Sequence, residues 1–231
     1  MNEAVLFDMD GVLLDSYHAH WLSWRDSCVR RGIEITETQY AGLFGQSFRS
    51  FTEALHPAPL TAAQIAAWHA EKEGGYREII RRDMPLMPGA RDVIRQLDEA
   101  GFRLGIASSG PRENVDCLLE HLNGDGRIRA SRSAGDVARC KPHPDVFLAC
   151  AEALETPPRH CLVVEDSIHG LQGARAAGMA TVALTGTATA DALAPFADAV
   201  IDALTALTPA LIQRSIGAAR VMSTLGTHHA A

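Results

Sequence analysis

Lysine is nearly missing from this 231-residue chain: of its 21 basic residues only Lys72 and Lys141 are lysines, and the rest are arginines. Basic charge as a whole is in deficit, and the net charge is −7 at pH 7. A face that neutralises a row of backbone phosphates is therefore not expected, which argues against nucleic acid as a partner. Paired cysteines are missing too. Cys28, Cys117, Cys140, Cys150 and Cys161 form no Cys-x-x-Cys motif, and their odd number fits reduced thiols in a cytoplasmic protein better than a disulfide framework. Met1-Asn2-Glu3 has no basic region of the kind that opens a secretory signal. The apolar stretch Met179 to Ala190 is too short, and too rich in Thr and Gly, to span a bilayer, so no membrane partner is expected.

What is present describes an ordinary globule. Hydrophobic residues make up 47% and charged residues 21%, enough for a real core and too apolar for a disordered chain. The length suits one large domain or a core with one sizeable insertion. The acidic balance does not exclude a small anionic substrate, because only the local field of a cleft acts on it. The arginine bias gives the two lysines weight. A lysine kept against it points to a position that needs a compact ammonium on a thin stem, which a broad guanidinium cannot replace.

Ala4-Val5-Leu6-Phe7 is a short apolar run that opens into Asp8-Met9-Asp10-Gly11 and reads as a buried strand followed by a loop. From Tyr17 to about Asp83 the pattern is helical, with Trp21, Trp24, Cys28 and Val29 at helical spacing. Thr61 and Gln64 form a capping box there. Met84 to Gly89 breaks that run. Beyond it, strands are predicted over 102–108, near 128–133, over 161–164, 181–184 and 199–201. Helices are predicted around Val93-Ile94-Leu97 and over 113–121, 145–154 and 171–177, with a further helix in the tail from Leu204 that frays toward Ala231. Buried strands alternating with helices predict an α/β fold: a Rossmann-like parallel sheet with helices on both faces, and an inserted helical domain. Asn123 to Ile128 has a calcium-loop flavour but lacks both required acids, so it is read as a turn.

Unusual polar groups collect at the predicted strand ends. Asp8 and Asp10 follow the first strand, Ser108 and Ser109 end the second, and Glu165 and Asp166 end the strand beginning at Cys161. Lys141 lies in the loop before the helix at Asp145. In a parallel sheet all of these fall on one edge. Taken singly, each acid reads as well as a solvated loop carboxylate or a helix N-cap. Four carboxylates meeting at one edge repel each other unless a cation joins them, and hard oxygen ligands beside a phosphate suit Mg²⁺.

These segments resemble the four motifs of the haloacid dehalogenase superfamily, in order and across nearly the whole chain: Asp8-Met9-Asp10-Gly11-Val12, Ile106-Ala107-Ser108, Lys141-Pro142-His143-Pro144-Asp145, and Val164-Glu165-Asp166-Ser167-Ile168-His169-Gly170. The resemblance implies Asp8 as a nucleophile that takes the phosphoryl group, and Asp10 as general acid and then base. It implies Ser108 and Lys141, with Ser109 beside them, as phosphate-binding residues. Mg²⁺ would be held by the Asp8 carboxylate, the Asp10 backbone carbonyl and Asp166, with Glu165 as a direct or water-mediated ligand.

The helical block directly after the first motif matches the branch with a small helical cap, which gives a core of residues 1–14 and 87–231 and a cap of 15–86. Such a cap closes over substrate and excludes water. Within that branch the chain looks most like the β-phosphoglucomutase group and its phosphatase relatives. The likeness rests on Asp8 to Ser16, His20, Trp24 and Lys72-Glu73-Gly74-Gly75-Tyr76. Lys72 fits that group's cap lysine; it also reads as a solvated helix charge. Departures from the mutase pattern are specific. Phe48 follows Gly45-Gln46-Ser47 where the mutases carry an arginine, and Arg49 comes one residue, about 100° of helix, late. No lysine follows Ser108-Ser109. Both changes weaken a second phosphate site, which a mutase needs and a phosphatase does not.

The expected activity is a Mg²⁺-dependent phosphatase of a small phosphorylated metabolite, sugar phosphates being one candidate, through an aspartyl-phosphate. The alternative is a β-phosphoglucomutase-type mutase. A remote alternative is a non-catalytic protein that only binds phosphometabolites. His20, Arg49 and Lys72 are the candidate substrate residues of the cap. A monomer or weak homodimer is expected.

Overall fold

A computed structural model describes residues 3–44, 48–56 and 58–226, with side chains described as far as residue 221. Gly45-Gln46-Ser47 and the last residues of the tail lie outside the described residues. The elements run β1 (Ala4–Phe7), α1 (Tyr17–Val29), α2 (Glu37–Leu43), α3 (Phe48–Leu55), α4 (Ala62–Arg82), α5 (Ala90–Glu99), β2 (Arg103–Ala107), α6 (Arg112–Leu122), β3 (Ile128–Arg132), α7 (Asp145–Ala153), β4 (Cys161–Glu165), α8 (Ile168–Ala176), β5 (Ala180–Leu184), α9 (Ala190–Leu193), β6 (Ala199–Ile201) and α10 (Pro209–Gly226). Chain contacts divide them into two units, one of Met1–Asp15 with Leu86–Ala231, the other Ser16–Pro85.

The first unit is built on a six-stranded sheet in the order β3-β2-β1-β4-β5-β6, every pairing parallel. β1, β4 and β5 are buried along their whole length, as strands covered on both faces must be, and carry continuous apolar runs rather than alternation. The edges are blunted: β3 carries Arg129 and Arg132, and β6 is three residues long. From β1 the chain steps outward to β2 and β3, then returns through α7 to β4 on the other side of β1. Right-handed crossovers made in opposite directions put their helices on opposite faces. Accordingly Val146, Phe147 and Cys150 of α7 share one apolar cluster with Ala174 of α8, Leu6 and Val163. The reversal of direction lies between β1 and β4, and the crevice beyond their carboxyl ends is where this architecture places ligands.

The second unit is helical. Trp21, Trp24 and Cys28 of α1, Tyr40 of α2, Phe51 of α3 and Trp68 of α4 make its core, and the Trp68 indole N–H donates to Ser27 Oγ at 3.0 Å. The Thr61–Gln64 capping box opens α4, and a second box, Thr36–Gln39, opens α2. Val29 does not follow its helical neighbours inward; it is 64% exposed at the end of α1.

Two elements differ from the expectation. α8 begins at Ile168 rather than 171, because the Ser167 hydroxyl caps it by accepting from Gly170 N–H at 3.0 Å. The connection from β5 to β6 contains α9, a short turn of helix capped by Thr189. Asn123 and Ile128 exchange side-chain to backbone hydrogen bonds of 2.9 and 2.8 Å, which makes that segment a closed turn.

Candidate active site

The loop after β1 is fixed before any side chain acts. Asp8 N–H donates to Val164 O across to β4 at 3.0 Å, and the amides of Leu13 and Leu14 both fold back to Met9 O at 2.9 Å. Met9, Val12, Leu13 and Leu14 are fully buried and anchor this loop by their side chains. Asp8 is therefore held at the carboxyl end of a central strand, buried, with Asp10 half-buried beside it. Gly11 is required twice over: its φ is +78°, and a β-carbon there would lie 1.9 Å from Asp166 Oδ2.

Three acids meet here. One carboxylate oxygen from each of Asp8, Glu165 and Asp166 lies within 4.8 Å of the others, and all three residues are buried. Lys141, from the loop between β3 and α7, enters the group. Its ammonium donates to Asp8 Oδ1 at 2.6 Å and to Glu165 Oε1 at 2.5 Å. The loop that presents it is tied to α7 by the Arg139 guanidinium, which grips the Asp145 carboxylate through 3.1 and 2.8 Å hydrogen bonds. Glu165 is fully engaged: its Oε2 accepts from the amides of Asp166 and Ser167 at 3.0 Å and from Ser167 Oγ at 2.9 Å. Asp166 Oδ2 accepts from the Thr187 hydroxyl.

The repulsion within this cluster is relieved by protonation or by a cation. Three ionised carboxylates against one ammonium leave two negative charges in a buried space. Burial first, then the neighbouring Glu165 and Asp166, raise the Asp8 carboxyl well above its usual range, although Lys141 pulls it down. Asp166 is pushed up to about 7, by burial first and then by Glu165, against the Thr187 hydrogen bond. Burial works against the Lys141 charge, but Asp8 and Glu165 prevail and hold its ammonium above the ordinary value. An oxygen-only donor set with a deficit of two positive charges fits a hard divalent cation such as Mg²⁺.

Ser108 lies at the end of β2, next to β1, and is buried; its Oγ accepts from Gly110 N–H at 2.9 Å. Ser109 is exposed. Thr187, in the loop after β5, belongs to no motif of the sequence. Its only signal there is its place past a strand end, on the edge that also carries Asp8 and Asp166.

The helical unit gathers the candidate cap residues differently. Lys72 is 3% exposed, so it is no solvated helix charge. Its ammonium lies 2.7 Å from His20 Nδ1 and donates to Glu73 Oε1 at 2.8 Å. The His20 ring stacks on Tyr76, with centroids 3.9 Å apart and planes 4° from parallel. His20, Lys72 and Glu73 line a cavity of about 200 Å³ together with Trp24, Phe48 and Phe51. Arg49 is not among its lining residues. It lies on the exposed side of α3 and pairs with Glu53 at 3.4 Å, while Phe48 occupies the wall.

The doubly wound sheet thus carries an acid cluster and a lysine at its switch point. Residues 3–178 match the haloacid dehalogenase-like hydrolase family, and the chain belongs to that family. It is 34% identical over 190 residues to the protein CbbY of Rhodobacter capsulatus, covering 78% of this chain and 84% of that one. It is 29% identical over 214 residues to validoxylamine A 7'-phosphate phosphatase of Streptomyces hygroscopicus subsp. limoneus, covering 89% and 95%. The fold matches β-phosphoglucomutase from Clostridium difficile with a TM-score of 0.80 at 24% identity, covering 96% of this chain and all of that one.

Proposed function

We propose that this hydrolase is a Mg²⁺-dependent phosphatase of a small phosphorylated metabolite, acting through an aspartyl-phosphate on Asp8. The observation that carries the reading is the Lys141 ammonium bridging Asp8 and Glu165 inside a buried cluster completed by Asp166. The similarity to a validoxylamine A 7'-phosphate phosphatase supports a small phosphorylated compound as the substrate class. Because hydrogen bonds already occupy both oxygens of Glu165, Asp8 and Asp166 are the carboxylates assigned to the cation, with the Asp10 backbone carbonyl. Glu165 instead positions Lys141. When bound, Mg²⁺ supplies the charge that keeps Asp8 ionised and offsets the phosphoryl oxygens.

In the reaction so assigned, an Asp8 carboxylate oxygen bonds to phosphorus while the bond from phosphorus to the leaving oxygen breaks. Asp10 gives that oxygen its proton. Asp10, now a carboxylate, takes a proton from water as the water oxygen attacks phosphorus, and the bond from phosphorus to Asp8 breaks. Lys141 and Ser108 hold the phosphoryl oxygens during both steps. The helical unit acts as the cap, which excludes water during the first step.

The mutase alternative needs a grip on a second phosphate. Arg49, already paired with Glu53 on an exposed helix face, is poorly suited to give one. Incubation with Mg²⁺ and a panel of sugar phosphates is expected to release inorganic phosphate steadily without isomerised product, and Asp8→Asn is expected to abolish the release. Conversion of β-glucose 1-phosphate to glucose 6-phosphate, primed by bisphosphate, would establish the mutase instead. Equal background from wild type and Asp8→Asn with a generic aryl phosphate would leave a binding protein.

A further inference from the structure

Asp166 is held differently from the acid beside it. Hydrogen bonds occupy both oxygens of Glu165. On Asp166 the side-chain partner is one hydroxyl on one oxygen: Thr187 Oγ1 donates to Oδ2. Both atoms sit over the bare α-carbon of Gly11. A β-carbon at position 11 would lie 1.9 Å from Asp166 Oδ2 and 3.1 Å from Thr187 Oγ1. Glycine, threonine and carboxylate oxygen thus pack as one contact within the sheet unit, and turning the carboxylate would break it.

The loop that presents Thr187 joins β5 to α9 and is tied at both ends. Thr185 N–H donates to Ile201 O of β6 at 2.9 Å. The Thr189 hydroxyl caps α9 by accepting from Ala192 N–H at 3.4 Å. Between them Gly186 takes a φ of +146°, which glycine adopts without strain. Thr187 is exposed, whereas the Asp166 it reaches is buried. Its role therefore lies in its hydroxyl rather than in packing.

A carboxylate ligates a cation through one oxygen or through both. Ca²⁺ accepts either mode in a flexible shell of about 6–8 oxygens, while Mg²⁺ demands a near-ideal octahedron. A hydroxyl bound to Oδ2 leaves Oδ1 to face the ion, which makes one-oxygen ligation the resting geometry. Partners that orient a ligand in this way are worth about 10- to 100-fold in metal affinity.

We propose that Thr187 is the positioning residue that fixes Asp166 as a one-oxygen ligand, and that it thereby favours Mg²⁺ over Ca²⁺ at the acid cluster. The proposal rests on the Mg²⁺-dependent reading of the site and deepens it.

The test reads metal binding apart from turnover. Free Mn²⁺ gives an electron paramagnetic resonance signal that is lost on binding, and like Mg²⁺ it takes an octahedron of oxygens. Titrating the whole protein with Mn²⁺, then displacing it with Mg²⁺ or Ca²⁺, yields a Kd for each ion. Thr187→Val keeps the shape and removes the hydroxyl; Thr187→Ser keeps the hydroxyl. Both are expected to fold, since Thr187 is exposed, and circular dichroism checks this. In Thr187→Val the Mg²⁺ Kd is expected to rise about tenfold or more, and the Ca²⁺ Kd less than about threefold. Thr187→Ser is expected to bind both ions as wild type does. An unchanged Mg²⁺ Kd in folded Thr187→Val, an equal weakening of both ions, or a Ser variant as weak as the Val variant overturns the proposal. Wild type that holds no more Mn²⁺ than Asp166→Asn overturns it together with the Mg²⁺ reading. The expected shifts without phosphate release from any ester support Thr187 and sink the phosphatase. Mg²⁺-dependent release with an unchanged Kd in Thr187→Val does the reverse.

Discussion

Gly170 makes room for Glu165. A β-carbon at position 170 would lie 1.9 Å from the Glu165 carboxyl carbon, closer than any real contact. That carboxylate in turn takes the Lys141 ammonium at 2.5 Å, so a glycine in the first turn of α8 decides where the lysine of the acid cluster sits. Gly170→Ala must push Glu165 aside or bend α8. The expected cost is about 1–3 kcal/mol of stability from overpacking. Phosphate release should fall more steeply than stability, because Lys141 loses one of its two partners. Thermal melts beside kcat measurements separate the two effects.

Removing the ammonium itself leaves three buried acids within 4.8 Å of one another without an internal counter-charge. Lys141→Met is expected to lower kcat by about 10²- to 10³-fold, the usual effect of losing one donor aimed at developing charge. Lys141→Arg is not expected to restore it, since a planar guanidinium cannot enter the space a 6%-exposed ammonium fills between two carboxylates. Unaltered turnover in Lys141→Met would remove the lysine from the mechanism.

The metal-free protein is expected to lose stability as pH rises through the range in which Asp166 titrates. Asp166 has an ordinary value of 3.8 and is raised in the fold to about 7. Between those limits the folded state binds more protons than the unfolded chain, so stability falls as pH rises. Asp8 is raised as well and adds in the same direction. Lys141, raised from 10.5, contributes a constant amount throughout this window. In EDTA, Tm is expected to fall from pH 5 to pH 7.5. Mg²⁺ is expected to raise Tm more at pH 7.5 than at pH 5, because its ligands must give up their protons to hold it. A metal-induced gain independent of pH would mean the ion binds elsewhere.

The thiols divide four to one. Cys140 is exposed, and Cys28, Cys117, Cys150 and Cys161 are buried. Burial also pushes Cys28 up to about 11, and Cys150 and Cys161 to about 12, so at neutral pH their nucleophilic thiolate is scarce. The native protein is expected to react rapidly with one equivalent of a thiol reagent, and with the rest only in denaturant. Substituting Cys140→Ser should remove the fast phase.

Much of the sheet was legible because parallel strands buried on both faces announce themselves as continuous apolar runs. Ala4 to Phe7 and Cys161 to Val164 needed no tertiary information. The start of α8 is less legible: apolar spacing points to residue 171, whereas the helix begins three residues earlier because the Ser167 hydroxyl caps it from within the strand-end motif. Spacing alone groups Val29 with Trp21, Trp24 and Cys28, but its place at the end of α1 leaves it in solvent. Thr187 was invisible: one threonine in a loop looks like any other until the fold brings it to Asp166.

The residues themselves determined that acids and a lysine would gather on one edge of a parallel sheet, since strand direction is shared and strand ends therefore coincide. They also determined that a helical insertion rich in aromatics would have a core of its own. Only the tertiary structure decided how charges pair. Lys141 is 133 residues from Asp8 and 24 from Glu165 along the chain, and Lys72 is 52 from His20. Whether a lysine is buried between partners or extended into water depends on packing distances of a few ångströms, and no local pattern in the chain encodes them.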